Sequence, residues 1–143
     1  MPPLAHEIQK EAESSPPGQR LAVTAESLYL INLLLVPGVA FALLLLLWWR
    51  NREAPPLARC HLRQTLVVSL WAGGLLGIFS ALVVLLAGYE FAHTWLFVLL
   101  YFTTFHSLFV LLGMLGLAKA MAGKLYRYPI FGVSCPEMEE TAR

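Results

Sequence analysis

LYLINLLLVPGVAFALLLLLWW, residues 28–49, carries no charged side chain across 22 positions, yet has Pro37 and Gly38 near its centre. How this stretch is read sets the number of membrane crossings. A hydrocarbon core about 30 Å thick needs about 20 apolar residues in a helix, so the block is long enough to cross once. Pro37 cannot donate a hydrogen bond to Leu33, and its ring crowds that carbonyl, so a kink is expected there. The alternative is a broken or partly re-entrant element over Leu21–Trp49. Those 29 residues are too few for two full crossings, and one kinked helix is the expectation.

Two further blocks extend the pattern. Leu66–Gly88 has no charged residue in 23 positions, and Thr94–Ala118 has no Asp, Glu, Lys or Arg in 25. The chain of 143 residues is 58% hydrophobic and 13% charged, where soluble domains carry about 25% charged residues. In lipid the backbone must satisfy its own hydrogen bonds, so each block is expected to be helical. The fold class is therefore all-α, an integral membrane protein with three transmembrane helices, the first of them kinked. Residues 1–20, rich in Pro, Ser, Glu and Gln, read as a disordered tail with room for a short helix over Ala5–Ser14. No basic stretch followed by an apolar core opens the chain, so no signal peptide is expected. The transmembrane domain covers 21–132, and 133–143 forms a C-terminal tail.

Basic residues near helix ends orient a membrane protein, since cytoplasmic loops retain Lys and Arg. Arg50, Arg52, Arg59 and Arg63 face one Glu53 in the first connection, while Tyr89–His93 has no basic residue other than His. The last segment opens with Lys119, Lys124 and Arg127, and Lys10 and Arg20 are outnumbered by Glu7, Glu11, Glu13 and Glu26. The expected topology is N-terminus outside and C-terminus cytoplasmic. Cys60 and Cys135 would then be thiols on a reducing side. Arg59 and Arg63 would anchor the second helix against anionic headgroups. Trp48, Trp49, Tyr126 and Tyr128 would form one aromatic belt and Tyr89, Phe91 and Trp95 the other.

Within the membrane, Ser69, Gly73, Gly77 and Ala81 recur every four residues and read as a helix-packing seam. Thr103, His106 and Ser107 share a helix face by their spacing. Together with Asn32 and Ser80 they are the intramembrane polar group, in which His106 either specifies packing through a hydrogen bond or serves a functional site. His93 and His106, about 20 Å apart on one helix, have a spacing used by haem-binding membrane cytochromes, but no second helix offers matching histidines. No cofactor or metal site is expected. The chain contains no Asp, no glycine-rich phosphate loop, no CxxC, no HExxH and no GxSxG, so it is not expected to be an enzyme.

Two motifs carry a family resemblance. ARCHLRQTLVVSL (58–70), with its basic His-x-x-Gln start to a helix, and GKLYRYPIFG (123–132) resemble a bacterial membrane protein family of unknown function. That family is related to Tic-twenty-like components of chloroplast import, and VPG (36–38) fits its proline-interrupted first segment. Thr65 stands where the family has alanine, and a polar residue early in the first helix is missing. The resemblance implies a multi-pass protein of the bacterial inner membrane. The family positions map to His61, Gln64, Tyr126, Arg127, Tyr128 and Pro129, and these are expected to meet at the cytoplasmic surface beside Arg59 and Arg63. There the tyrosines would anchor, Pro129 would stop the helix, and His61, Gln64 and Arg127 would dock a partner. The expected function is that of an accessory or assembly subunit acting through helix packing and docking; the alternative is a subunit of a protein-conducting or small-solute channel. Expected partners are the lipid bilayer and a membrane protein or second copy, with no nucleic acid.

Overall fold

The computed structural model describes residues 15–136. Four helices are present among them: α1 (Gln19–Leu34), α2 (Val39–Arg50), α3 (Pro56–Ala87) and α4 (Ala92–Met121), followed by a largely non-helical segment, 122–136. The tail expected over 1–20 and its short helix fall mostly outside the described residues.

The first apolar block is two helices, not one kinked span. The Ile31 carbonyl accepts from both the Leu35 and Val36 N–H groups, each at 3.0 Å, which closes α1. Gly38 follows at φ +87°, a conformation side chains resist. The Asn32 side-chain oxygen accepts the Gly38 N–H at 3.0 Å, supplying a partner at the turn. The chain therefore reverses where a proline kink alone would only bend it. α2 returns along α1, and Leu44 packs with Ala25 of α1 and with Leu62 and Leu66 of α3. At 16 and 12 residues, α1 and α2 are about 24 and 18 Å long, each short of a bilayer crossing.

Two helices, not three, are long and apolar enough to cross a membrane: α3 with 32 residues and α4 with 30. Leu85, Leu86, Leu96 and Phe97 along them are exposed, Leu85 by 80%. A helix pair showing that much apolar surface fits lipid better than water. Pro56 occupies the first turn of α3, where its missing N–H costs nothing. Midway, Gly73–Phe79 widens into a π-helical turn. The Tyr101 hydroxyl of α4 donates to the Leu75 carbonyl inside it at 2.9 Å.

The reversal also sets where α1 begins. A side chain at Gly18 would lie 3.0 Å from Ala58 and 3.1 Å from Pro55, and one at Gly123 would press on Pro16. The start of α1, the start of α3 and the end of α4 thus gather at one end. The arrangement with the N-terminus opposite the C-terminus required the first block to cross, and that block is instead two helices each too short to do so.

Gly73 and Gly77 of the expected seam meet no neighbour within this chain, and the close approach inside it falls on a different helix. A Cβ at Gly73 or Gly77 meets nothing within 4 Å, and both glycines lie in the π-helical turn. Ser69 is buried and its hydroxyl has no hydrogen-bond partner, while Ala81 is exposed. The close approach is instead at Gly113 and Gly116 of α4. A Cβ at Gly113 would come 2.5 Å from the Tyr29 ring, and one at Gly116 would overlap Glu26 and the Tyr128 hydroxyl. The expected intramembrane polar group does not assemble either. Asn32 serves the turn, the Ser80 hydroxyl has no hydrogen-bond partner, and Thr103 and Ser107 are exposed. His106 stacks on Phe102 with ring centroids 5.5 Å apart.

Reporter fusions at the two ends of the chain should read out on the same side of the membrane. Opposite sides would restore a crossing first block.

Candidate functional site

The helices α1, α3 and α4 and the C-terminal segment converge on a polar cluster inside the apolar protein. On α1, Ala22, Ala25, Glu26 and Tyr29 form the buried stripe, with the spacing of one helix face. It is a mostly small-residue face carrying one carboxyl. On α3, His61 and Gln64 are one turn apart and both fully buried. The C-terminal segment brings Tyr128, 1% exposed, and Cys135.

Glu26 and His61 meet at 2.6 Å between Oε1 and Nδ1. The other imidazole nitrogen, Nε2, donates to the Lys124 carbonyl at 3.0 Å. That bond commits the Nε2 proton, so the contact to Glu26 holds one further proton shared between carboxyl and imidazole. The Tyr128 hydroxyl donates to the second oxygen, Glu26 Oε2. Burial raises the Glu26 carboxyl above its usual range, against the hydrogen bonds from His61 and Tyr128, which lower it. Burial, and after it the Glu26 charge, likewise raises the Tyr128 phenol, which stays protonated as a donor. Tyr29 stands edge-on to Tyr128 at 5.9 Å and donates to the Phe109 carbonyl at 3.1 Å.

A second set of bonds holds the same segment farther along. Gln64 Nε2 donates to the Val133 carbonyl, and Gln64 Oε1 accepts the Val133 N–H at 3.1 Å. The amide thus pairs with one residue's backbone as a neighbouring strand would. Cys60 and Cys135 form a disulfide across 75 residues of sequence, with Cα atoms 5.7 Å apart. The expectation of two free thiols is corrected. The tail expected from residue 133 onward is tied down through Val133 and Cys135. Between these holds, residues 128–132 make a tight turn with Ile130 at φ +71° and 90% exposed.

The structure sorts the sequence-derived residues into two groups. His61, Gln64 and Tyr128 are inside, their polar atoms used by this chain, so they offer no surface to a partner. Arg59, Arg63, Arg127 and Pro129 are exposed and Tyr126 is half-buried. Tyr128 is not part of an aromatic belt, whereas Trp49 is exposed and Arg52 lies 4.8 Å over the Trp48 ring. Pro129 does not stop a helix, because α4 has already ended at Met121. Sequence reading missed Glu26 as a site residue by counting it with the tail charges. Its signal was a lone acid three positions before Tyr29 on an otherwise apolar face.

These features define a small helical membrane protein with a polar core at one end, onto which its C-terminal segment is latched. The family model of the magnetosome magnetite crystal formation proteins, MamF/MmsF, matches residues 19–133, and the chain belongs to that family. The match overturns the resemblance to relatives of the Tic-twenty-like import components. No curated relative and no solved structure matches the chain.

Tyr128→Phe removes a donor from a buried carboxylate, and thermal unfolding in detergent should register a loss of about 1–3 kcal/mol. Gly116→Val should cost more, because the added carbons overlap both Tyr128 and Glu26. Replacing both cysteines with serine should remove on the order of 4 kcal/mol, as expected for a closed loop of this length. Maleimide applied to intact cells should label neither cysteine before reduction.

Proposed function

We propose that the chain is a non-catalytic accessory subunit of magnetite crystal formation, resident in the magnetosome membrane, which docks a partner through its basic end. The observation that carries this reading is the charge at the latched end. Among the described residues, Arg20, Arg50, Arg52, Arg59, Arg63, Lys119, Lys124 and Arg127 are all exposed there, against one exposed acid, Glu53. The re-entrant hairpin brings Arg20 to this face, and the latch holds Lys124 and Arg127 on it. A concentration of one sign of charge speeds encounter with an oppositely charged partner and sets its orientation.

The polar cluster supports a structural role over a catalytic one. His61 Nε2 is committed to a backbone carbonyl, Glu26 to two donors, and all three side chains are buried. A general base needs access to a substrate proton, and this one has none. The channel alternative loses the import relationship on which it rested.

The test is complementation of a strain lacking the gene. Arg63→Glu with Arg127→Glu should reach the membrane at normal levels, yet yield fewer or smaller magnetite crystals and reduced partner recovery. Normal crystals from the charge-reversed protein would remove the docking role.

A further inference from the structure

At the far end, away from the latch, α3 and α4 part around a cavity of about 650 Å³. Its apolar walls are Phe79, Val83 and Ala87 of α3, with Phe97, Val98 and the hairpin residue Phe91 on the other side. On each helix these positions recur at three- and four-residue intervals, so the cavity is a groove running along both axes. From Phe79 to Ala87 it extends about 12 Å, in the direction of the membrane normal. Its volume lies within the range of small-molecule sites. Phe91 and Phe97, each 66% exposed, leave it open toward the bilayer. A long, narrow, apolar slot reached from lipid has the shape of a hydrocarbon chain.

The upper end of the groove is polar. His93 and Thr94, in the first turn of α4, line it there. The Thr94 N–H is taken by the Phe91 carbonyl at 3.0 Å, which leaves the Ala92 and His93 N–H groups at the helix start to favour a phosphate. The neighbouring hairpin is held firm: Trp95 donates to the Tyr89 carbonyl at 3.0 Å, and the two rings stand edge-on at 5.1 Å. Glu90, exposed in that hairpin, is the sole Asp, Glu, Lys or Arg between Arg63 and Lys119. A headgroup placed here has donors for its phosphate in the lining and one carboxylate beside it, on the residue next to the lining Phe91, with no Lys or Arg. That pattern disfavours a net negative headgroup and suits one carrying both a phosphate and an ammonium. A primary ammonium can donate a charge-assisted hydrogen bond to the carboxylate, which a quaternary one cannot.

We infer that this groove is a binding site for one molecule of phosphatidylethanolamine. One acyl chain lies between Phe79 and Phe97, the phosphate sits at His93 and Thr94, and the ammonium is at Glu90. The lipid completes a helix pair that leaves this space open between its own side chains.

Native mass spectrometry of the full chain, released from nanodiscs of defined composition, tests the assignment. From an equal mixture of phosphatidylethanolamine and phosphatidylglycerol, the wild-type protein should retain one phosphatidylethanolamine, enriched at least several-fold. Glu90→Gln should reduce that enrichment toward unity. Ala87→Trp, which fills the groove, should lose the retained lipid, whereas tryptophan at the lipid-facing Leu85 should keep it. Equal retention of the two lipids by the wild type overturns the headgroup assignment without need of any variant. Undiminished lipid on a folded Ala87→Trp protein overturns the site.

Discussion

A carboxyl group held out of water among apolar side chains must be paired or protonated, and Glu26 is such a group. Its desolvation would cost several kcal/mol without partners. Three parts of the chain supply what it needs: α1 the carboxyl, α3 the imidazole of His61, and the C-terminal segment the hydroxyl of Tyr128. Removing Glu26 strands both the His61 Nδ1 and the Tyr128 hydroxyl, and removing either of those strands one Glu26 oxygen, which is why the interaction ties the three together. The small residues answer to the same constraint. Ala22 and Ala25 let α1 lie close to its neighbours, and Gly116 leaves room for Tyr128 and Glu26 to meet against α4.

This constraint makes the two ends of the molecule chemically different. At the latched end, Gln64 and the Cys60–Cys135 disulfide reinforce the polar cluster, and the cations stay on the outside. The far end has no cation other than what histidine can supply, one carboxylate, and a groove between two apolar helices. Two rules of thumb disagree at the latched end. Its basic residues argue for a cytoplasmic side, while a persistent disulfide argues for an oxidising space. The charge rule concerns membrane insertion, and the disulfide concerns the environment met afterwards. The two coexist where the covalent hold is buried, as here, with both cysteines 2% exposed.

Much of the site was visible in the sequence as residues, and little of it as relationships. His61 and Gln64 stood out as surface groups awaiting a partner, and Tyr128 as an interface anchor. Their partner is the chain itself, because the segment after α4 folds back over α3. Gly73 and Gly77 satisfied the spacing of a packing seam, yet face open space. Gly113 and Gly116, three apart and unremarked, are where the backbone is crowded. Spacing along a helix identifies which residues share a face. It is silent on whether another element covers that face.

Length and apolarity alone determined α3 and α4. Each is a continuous charge-poor run, and their short connection leaves them no arrangement but antiparallel neighbours. Those are local properties, complete within a few tens of residues. The fate of residues 28–49 was not local. Pro37 permits either a bend or a reversal, and the outcome rests on the Asn32 bond to Gly38 and on Leu44 finding Ala25, Leu62 and Leu66. The partners of Glu26 lie 35 and 102 residues away, and the disulfide closes 75. Such contacts exist only once the helices have packed, and so the tertiary structure alone decided them.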